Sequence, residues 1–575
     1  MSSAIRLEDY DVSPITGFLP EEPALTRLPN PYYEPWERIN DNLQAFIITR
    51  KLWVQVEKLP VLETDQLSTM PEKRRAFTLL AFFAHAYIWG DRHDVRDYLP
   101  APIAVPWVRL ADEMEMKPII CSPSVVSWNW RKLDPESPLE LDNMTVLQTF
   151  TGSTDEAWFY LITGAVEARA VELFRRIPGI FEAIEKEDHQ ALVEHLGVFH
   201  AVLSDCTHIL ERMYEQCDPY VFYWKIHPFL AGWNNMKSAG LPHGVLYHGV
   251  DDIDMDPDDP CLNSRRRRYA GGSAAQASGV HVFDILLGVQ HYPTGLSKTE
   301  RSDDKRKDAK LQGGNFLEAM RTYMPGPHRR FLEYLDRNCR LRDYVLTATG
   351  ASVLDDLRVR DPAEVALRTQ LLQVYNACVA QVRAFRDSHI KMVTRYIVSP
   401  ARKGPSLVNM MTPQAKQDFR PSPPTTPITP APGQLPLDDV VSDTPAVLES
   451  MESQTPPEGI SNLSSRLTHL TSLFSLQRLR NYVVNEPISP ALTPDSSSVD
   501  FSAHLHDSAI PSRHTPDVYN NLQSNPLSAG IADQCEGALT LKTKSQHVVG
   551  SGGTDAMKFL KQVRDETKEA QIQPM

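Results

Sequence analysis

Cysteine is scarce in this chain: seven in 575 residues, an odd number, with no Cys-x-x-Cys pair. That usage fits reduced thiols in the cytoplasm better than a disulfide frame or a zinc site. Long apolar runs are missing as well. The longest, residues 77–90, contains His85 and falls short of the roughly 20 residues that a membrane-spanning helix needs. No membrane attachment is expected. Positive charge is in deficit, with 59 Lys and Arg against 73 Asp and Glu and a net charge of −14. This balance argues against general nucleic-acid binding. The opening stretch, MSSAIRLEDYDVSP, is polar and acidic, unlike a secretory signal or an Arg-rich transit peptide.

What is present suits a globular protein with an added polar segment: 42% of residues are hydrophobic, over a length too great for one ordinary core. Residues 1–106 read as a small mixed α/β unit. Its prolines, in GFLPEEPALTRLPNPYYEPWERI, block regular structure at the start. A helix is expected from residue 34 towards 59 and another up to residue 90. Residues 107–401 read as a large, mainly helical unit. Helices are expected over 155–176, restarting at 180 after Pro178, over 194–217 and over 368–398. Four arginines, Arg265 to Arg268, close a polar loop; a solvated loop and a phosphate or nuclear-targeting patch are both readings of that run. Residues 402–548 are rich in Pro, Ser and Thr and read as a long disordered insert. The insert carries an apolar stripe from 463 to 479 and Ser/Thr-Pro pairs between Thr412 and Thr515, which would serve proline-directed kinases or partner proteins. Residues 549–575 return to order through GSGGTDAMKFLKQVRDETKEA. There a glycine-rich turn enters a helix with Thr554 or Asp555 as N-cap.

The stretch 368–398 carries the clearest chemical signal. Leu371, Leu372, Tyr375, Cys378, Val379, Val382, Phe385, Met392, Val393 and Tyr396 recur at helical spacing, and His389 lies on the same stripe. A buried imidazole needs a partner for each nitrogen, or a metal. Arg386 stands one turn back and needs an anion. A haem would supply both, iron for the histidine and a propionate for the arginine. Spacing alone leaves the commoner alternative open, a core histidine bonded to a carbonyl. His328, between Pro325 and Pro327 in PGPHRRF, reads as part of a fixed turn.

A colinear set of motifs narrows these readings: GFLP, HPFLAGW, YAGGSAAQAS, MRTYMPGPHRRF, FRDSHIKMVTRYI and GSGGTDAMKFLK. The set resembles the indoleamine 2,3-dioxygenase family, most closely its fungal members, over residues 10–401 and 550–568. The resemblance implies a mainly α fold, with a large all-helical haem-binding domain beside a smaller mixed α/β N-terminal domain. It also implies one haem b per chain and a cytoplasmic monomer. The implied reaction opens the indole ring of L-tryptophan with O2 to give N-formylkynurenine. Carried over by position, His389 becomes the iron ligand and Arg386 the propionate partner. Phe159 and Phe222 would sandwich the indole, Thr163 would keep a hydroxyl near bound O2, and Gly272, Ser273 and Ala274 would lie over the haem and near substrate. Ser551, Gly552 and Gly553 would form a closing loop. No acid–base pair or nucleophile is implied.

Three departures from the family pattern bear on function. His227 precedes the proline of HPFLAGW where arginine is usual, so the grip on a substrate carboxylate is weakened. A neutral His227 implies weak binding of tryptophan, whereas one protonated by the incoming carboxylate implies activity rising towards about pH 6. Ala275 and Ala277 replace smaller or polar residues and would narrow the pocket, and Ser122 stands in place of a phenol. Two other classes therefore stay beside the dioxygenase: a haem-binding paralogue with little turnover, and a helical scaffold regulated through its insert.

Overall fold

The computed structural model describes residues 5–91, 93–253, 261–295, 315–350, 352–354, 361–404 and 556–573. These belong to one packed unit. Residues 405–548 of the insert, with its Ser/Thr-Pro pairs and apolar stripe, Ser551 to Gly553 and the expected N-cap at 554 or 555 lie outside the described residues, whereas the first residues of the insert still belong to a helix, Ser399–Lys403.

The fold is mainly helical, as the sequence pattern predicts. Its centre is α1, Met70–Trp89. Thr69 and Glu72 form a reciprocal capping box at its start, with Pro71 in the first turn. From Arg75 onward α1 is buried all round, so it behaves as a core helix with no solvent stripe. The charge this buries, Arg75, is met by equally buried Glu37 at 2.7 Å. Before α1, the expected single helix from 34 to 59 is instead three short ones, Glu34–Asp41, Leu43–Ile48 and Leu52–Glu57. The last break has a backbone cause: Arg50 sits at φ 55°, outside the right-handed helical region.

Strand content is small. β1, Tyr98–Leu99, precedes α2, Ala101–Glu113. β2, Trp130–Lys132, pairs antiparallel with β3, Met144–Val146, with Trp130 opposite Val146. β4, Leu246–Tyr247, runs parallel to β1. The arginine run is tied down beside it. Arg267 forks onto buried Asp251 at 2.8 Å and stacks on Tyr247, and Arg266 reaches Asp97 at 3.0 Å. Arg268 also donates to the His243 carbonyl (3.2 Å), so three of the four arginines are held by protein partners.

The larger helices are α3, Thr154–Phe174; α4, Ile177–Glu185; α5, His189–Glu211; α6, Ser278–Leu286; α7, Gly326–Asn338; α8, Pro362–Val393; and α9, Ala556–Glu569. Helix α8 packs along α5 and against α9, and α3 packs on α5. Polar bonds fix their register: Cys378 to the Leu196 carbonyl (3.2 Å), and Asn376 to the backbone of Ile572 in both directions (2.8 and 2.9 Å).

Among the described residues three stretches widen into π turns: Pro123–Ser127, Phe222–Ile226 and Thr394–Val398. Two have a visible cause. Pro228 and Pro400 follow them, and a proline ring clashes with the carbonyl four residues back, which here falls on Trp224 and Tyr396, inside the widened turns.

Candidate active site

All three π turns face one cavity of about 290 Å³, walled mainly by apolar side chains. Helix α3 lays Phe159, Thr163, Val166 and Glu167 along it at helical spacing. Helix α8 contributes Phe385, Arg386 and His389, and α9 contributes Phe559, Leu560 and Val563. The small-residue loop before α6 supplies Gly272, Ser273 and Ala274. Phe159, Thr163, Phe222, His227, Gly272, Ser273, Ala274, Arg386 and His389 are thus brought onto one wall-lining set, together with Ser122, Ala275 and Ala277. His328 is elsewhere. It sits on α7, bonded to the Asp11 carbonyl at 3.1 Å and edge-on to Phe18.

The loop is held in place by backbone contact and by one glutamine. Gln276 donates to the Gly271 carbonyl (3.0 Å) and accepts from the N–H groups of Ser122 (3.1 Å) and Ser273 (3.2 Å). A methyl on Gly271 would lie 2.2 Å from the Leu230 carbonyl oxygen. That glycine therefore serves close approach of chain to chain. Gly272 is different: a methyl there meets nothing nearer than 3.8 Å.

The histidines of the core differ in kind. His85 is satisfied on both nitrogens, receiving the Ile120 N–H (3.1 Å) and contacting the Phe229 carbonyl (2.7 Å). His389 has no hydrogen-bond partner among the described residues, and its exposed surface opens onto the cavity. Burial, and then the nearby Arg386 charge, push it down to about 4. It is therefore a neutral imidazole with a lone pair available, as a metal ligand requires. His227 is similar. Its Nδ1 is buried with no partner among the described residues, and its ring stacks on Tyr223 at 5.8 Å. Burial alone pushes it down to about 4.

Two corrections follow from the geometry. Phe159 and Phe222 touch, with ring centroids 4.7 Å apart and tilted by 52°. An intervening ring needs about 7 Å between its neighbours, so the pair forms one corner of the wall, not a sandwich. The anion beside Arg386 is a protein group. Its guanidinium bonds both oxygens of buried Asp284 (2.6 and 2.5 Å) and the Thr567 hydroxyl. A propionate would meet only what this pairing leaves free. Thr163 donates its hydroxyl to the Phe159 carbonyl (3.2 Å), and Ser273 accepts from the Ala275 N–H (3.2 Å).

Sequence reasoning missed two acids of the wall region. Asp284 is a lone acid within VHVFDILLGV, and an acid in an apolar helical stretch signals a buried partner. Glu167 is buried, accepts the Gly279 N–H at 3.3 Å, and keeps Oε2 unpaired among the described residues. Burial pushes its carboxyl up to about 7.

The donor set fits a haem: neutral imidazoles on the wall at His389 and His227, one guanidinium and long apolar walls. No group of three or more His, Cys, Asp or Glu able to hold a bare metal ion occurs among the described residues. No helix among them is long and apolar enough to cross a membrane. The class defined here is a helical protein built around an apolar cavity with neutral imidazoles, His389 and His227, on its wall. The family model described as indoleamine 2,3-dioxygenase matches residues 6–426, and the chain belongs to that family. It is 34% identical over 420 residues to an indoleamine 2,3-dioxygenase of Saccharomyces cerevisiae, covering 71% of this chain and 84% of the relative. A protein of that name from Aspergillus nanangensis is 33% identical over 409 residues (69% and 88%). Indoleamine 2,3-dioxygenase 1 of Mus musculus is 32% identical over 402 residues (70% and 86%).

Proposed function

We propose that the protein is a cytoplasmic haem-dependent dioxygenase that opens the indole ring of L-tryptophan, placing both atoms of O2 in N-formylkynurenine. The observation that carries this reading is His389, a neutral imidazole on the wall of an apolar cavity with no hydrogen-bond partner among the described residues. His389 would hold the iron, and the N–H groups of Arg386 not taken by Asp284 and Thr567 would meet a propionate. Bound haem supplies the activation of O2, which no side chain here provides. The chain's own task is to hold and to exclude. The Phe159–Phe222 corner would receive one face of the indole, and the apolar walls would keep water from the reacting atoms. Ser273 retains a hydroxyl proton to offer a substrate heteroatom, because its oxygen only accepts at the loop cap. Both oxygen atoms enter the product, so no further reductant is consumed in the turnover.

His227 supports a second reading, a haem-binding relative with little turnover, since a neutral imidazole grips a carboxylate poorly. The test uses full-length protein loaded with haem, reduced, and mixed with O2 and L-tryptophan. Formation of N-formylkynurenine at stoichiometry above one per haem supports the dioxygenase. A His389-dependent haem spectrum without product supports the second reading. Absence of haem binding overturns both.

A further inference from the structure

A buried ionic network joins α6, α8 and α9 behind the cavity wall. His291 lies at its centre. Its Nδ1 lies 2.8 Å from Glu566 Oε2, and its Nε2 lies 3.0 Å from Asp284 Oδ2. The same Asp284 holds Arg386, and Arg386 also bonds Thr567 on α9. Glu566 further accepts from the Tyr292 N–H (3.3 Å) and from Gln562 (2.8 Å). Gln562 closes the ring by accepting the Gly295 N–H (2.7 Å) and donating to the carbonyls of Tyr292 and Pro293 (both 3.1 Å).

Both ring nitrogens of His291 thus face carboxylates. A neutral imidazole has one N–H, and its other nitrogen would set a lone pair against a carboxylate oxygen. Glu566 also accepts two N–H groups at its other oxygen and Asp284 accepts a guanidinium, so both carboxyls face donors on every side and an imidazolium supplies the N–H for each. The side chains are almost closed to solvent, at 12% exposure for His291, 6% for Asp284 and 1% for Glu566. Two cations then balance two anions, which is what makes such burial tolerable. Loss of one proton leaves a net buried negative charge.

We propose that His291, as an imidazolium, is a positioning residue for the cavity: by bridging Asp284 and Glu566 it fixes Arg386 and the Phe559, Leu560 and Val563 face of α9 on the wall. The proposal rests on the function above only for what the cavity holds. The ionisable groups facing His291 are Asp284 and His281 from α6, Glu566 from α9 and Arg386 from α8, with Arg321 beyond His281. Burial and Arg386 act to lower its pKa; Asp284 and Glu566 outweigh them and raise it. A raised folded-state value means the stabilisation is complete below the unfolded value of about 6.5 and is lost as pH rises through the folded one.

The test is amide hydrogen exchange of residues 556–573 in the full chain without substrate, together with the rate of haem transfer to an apoglobin acceptor, both from pH 6 to 9. In the wild type, protection of α9 should fall and haem transfer should accelerate across this range, each about tenfold or more, the scale of one charge-assisted hydrogen bond. His291→Gln should show the low protection at pH 6 already and no pH dependence. If that variant does not fold, Glu566→Gln serves: one carboxylate remains, so the transition should persist but move to lower pH. Flat wild-type protection, or an unchanged transition in either variant, overturns the proposal. An exchange transition in a protein that binds no haem would uphold His291 while refuting the proposed function.

Discussion

Replacing His227 by arginine probes the substrate end of the cavity most directly. The imidazole is packed against Phe222 and Tyr223, and burial pushes it down to about 4. Forcing a proton onto it at pH 7 costs about 4 kcal/mol. A charge-assisted hydrogen bond returns only about 1.5–3 kcal/mol. An incoming carboxylate therefore meets a neutral ring and gains one ordinary bond worth about 1 kcal/mol. Wild type and His227→Arg should show kcat/KM profiles for L-tryptophan of the same shape from pH 6 to 8, because nothing at this position titrates there. His227→Arg restores a permanent charge and should lower KM for L-tryptophan about tenfold, the equivalent of about 1.4 kcal/mol. The kcat should change little where the contact is equal in ground and transition states. Tryptamine has no carboxylate and should gain nothing. Without substrate the new guanidinium is an unpaired buried charge, so the variant's melting temperature should drop and recover when L-tryptophan saturates it. Initial rates with both compounds, with melting curves alongside, read all of this. Equal gains for both compounds, no gain for tryptophan, or an inflection near pH 6 that is present in wild type and absent from His227→Arg would refute the reasoning.

Other changes separate ligand, wall and scaffold. His389→Ala should abolish or shift the Soret band of haem-loaded protein, whereas His328→Ala should leave the band in place and lower only the melting temperature; the reverse pattern would displace the ligand assignment. Glu167 has a folded-state value near 7 against an ordinary 4.5, so the folded state holds its proton longer and stability should fall by roughly 3 kcal/mol as pH rises from 4 to 8. Denaturant titrations of Glu167→Gln should lack that decline. Gly271→Ala should destabilise by about 3 kcal/mol or more through its clash with the Leu230 carbonyl. Gly272→Ala should melt near the wild-type temperature and act only on what the cavity binds.

The parts of the fold legible in the sequence are those where periodicity and capping agree. Helix α1 announces itself through TMPE and its apolar run, α3 through the stripe after Ser153, and α8 through the stripe bearing His389. The helix expected over 34–59 breaks a second time because a left-handed Arg50 is invisible to hydropathy. The wall residues were readable only through the colinear motifs, since they come from segments far apart in the chain and no spacing rule links Phe159 to Gly272 or His389. Pairing was the least legible layer. Arg386 plainly needs an anion, but sequence gives no way to choose Asp284 over a cofactor, and His291 signals nothing until Glu566 is folded against it.

The π turns carry a geometric consequence. A π turn holds one residue more than a regular turn, so the side chains beyond it are rotated by about 100° relative to an unbroken helix. Phe222 and Tyr396 both belong to such turns and both face the cavity. The empty space is thus partly a product of phase slips at one depth in the bundle. Deleting a single residue from either turn would bring the helix back into phase and swing a different side chain inward. The pocket would be filled although Arg386, His389 and every other residue credited with holding a ligand were still present.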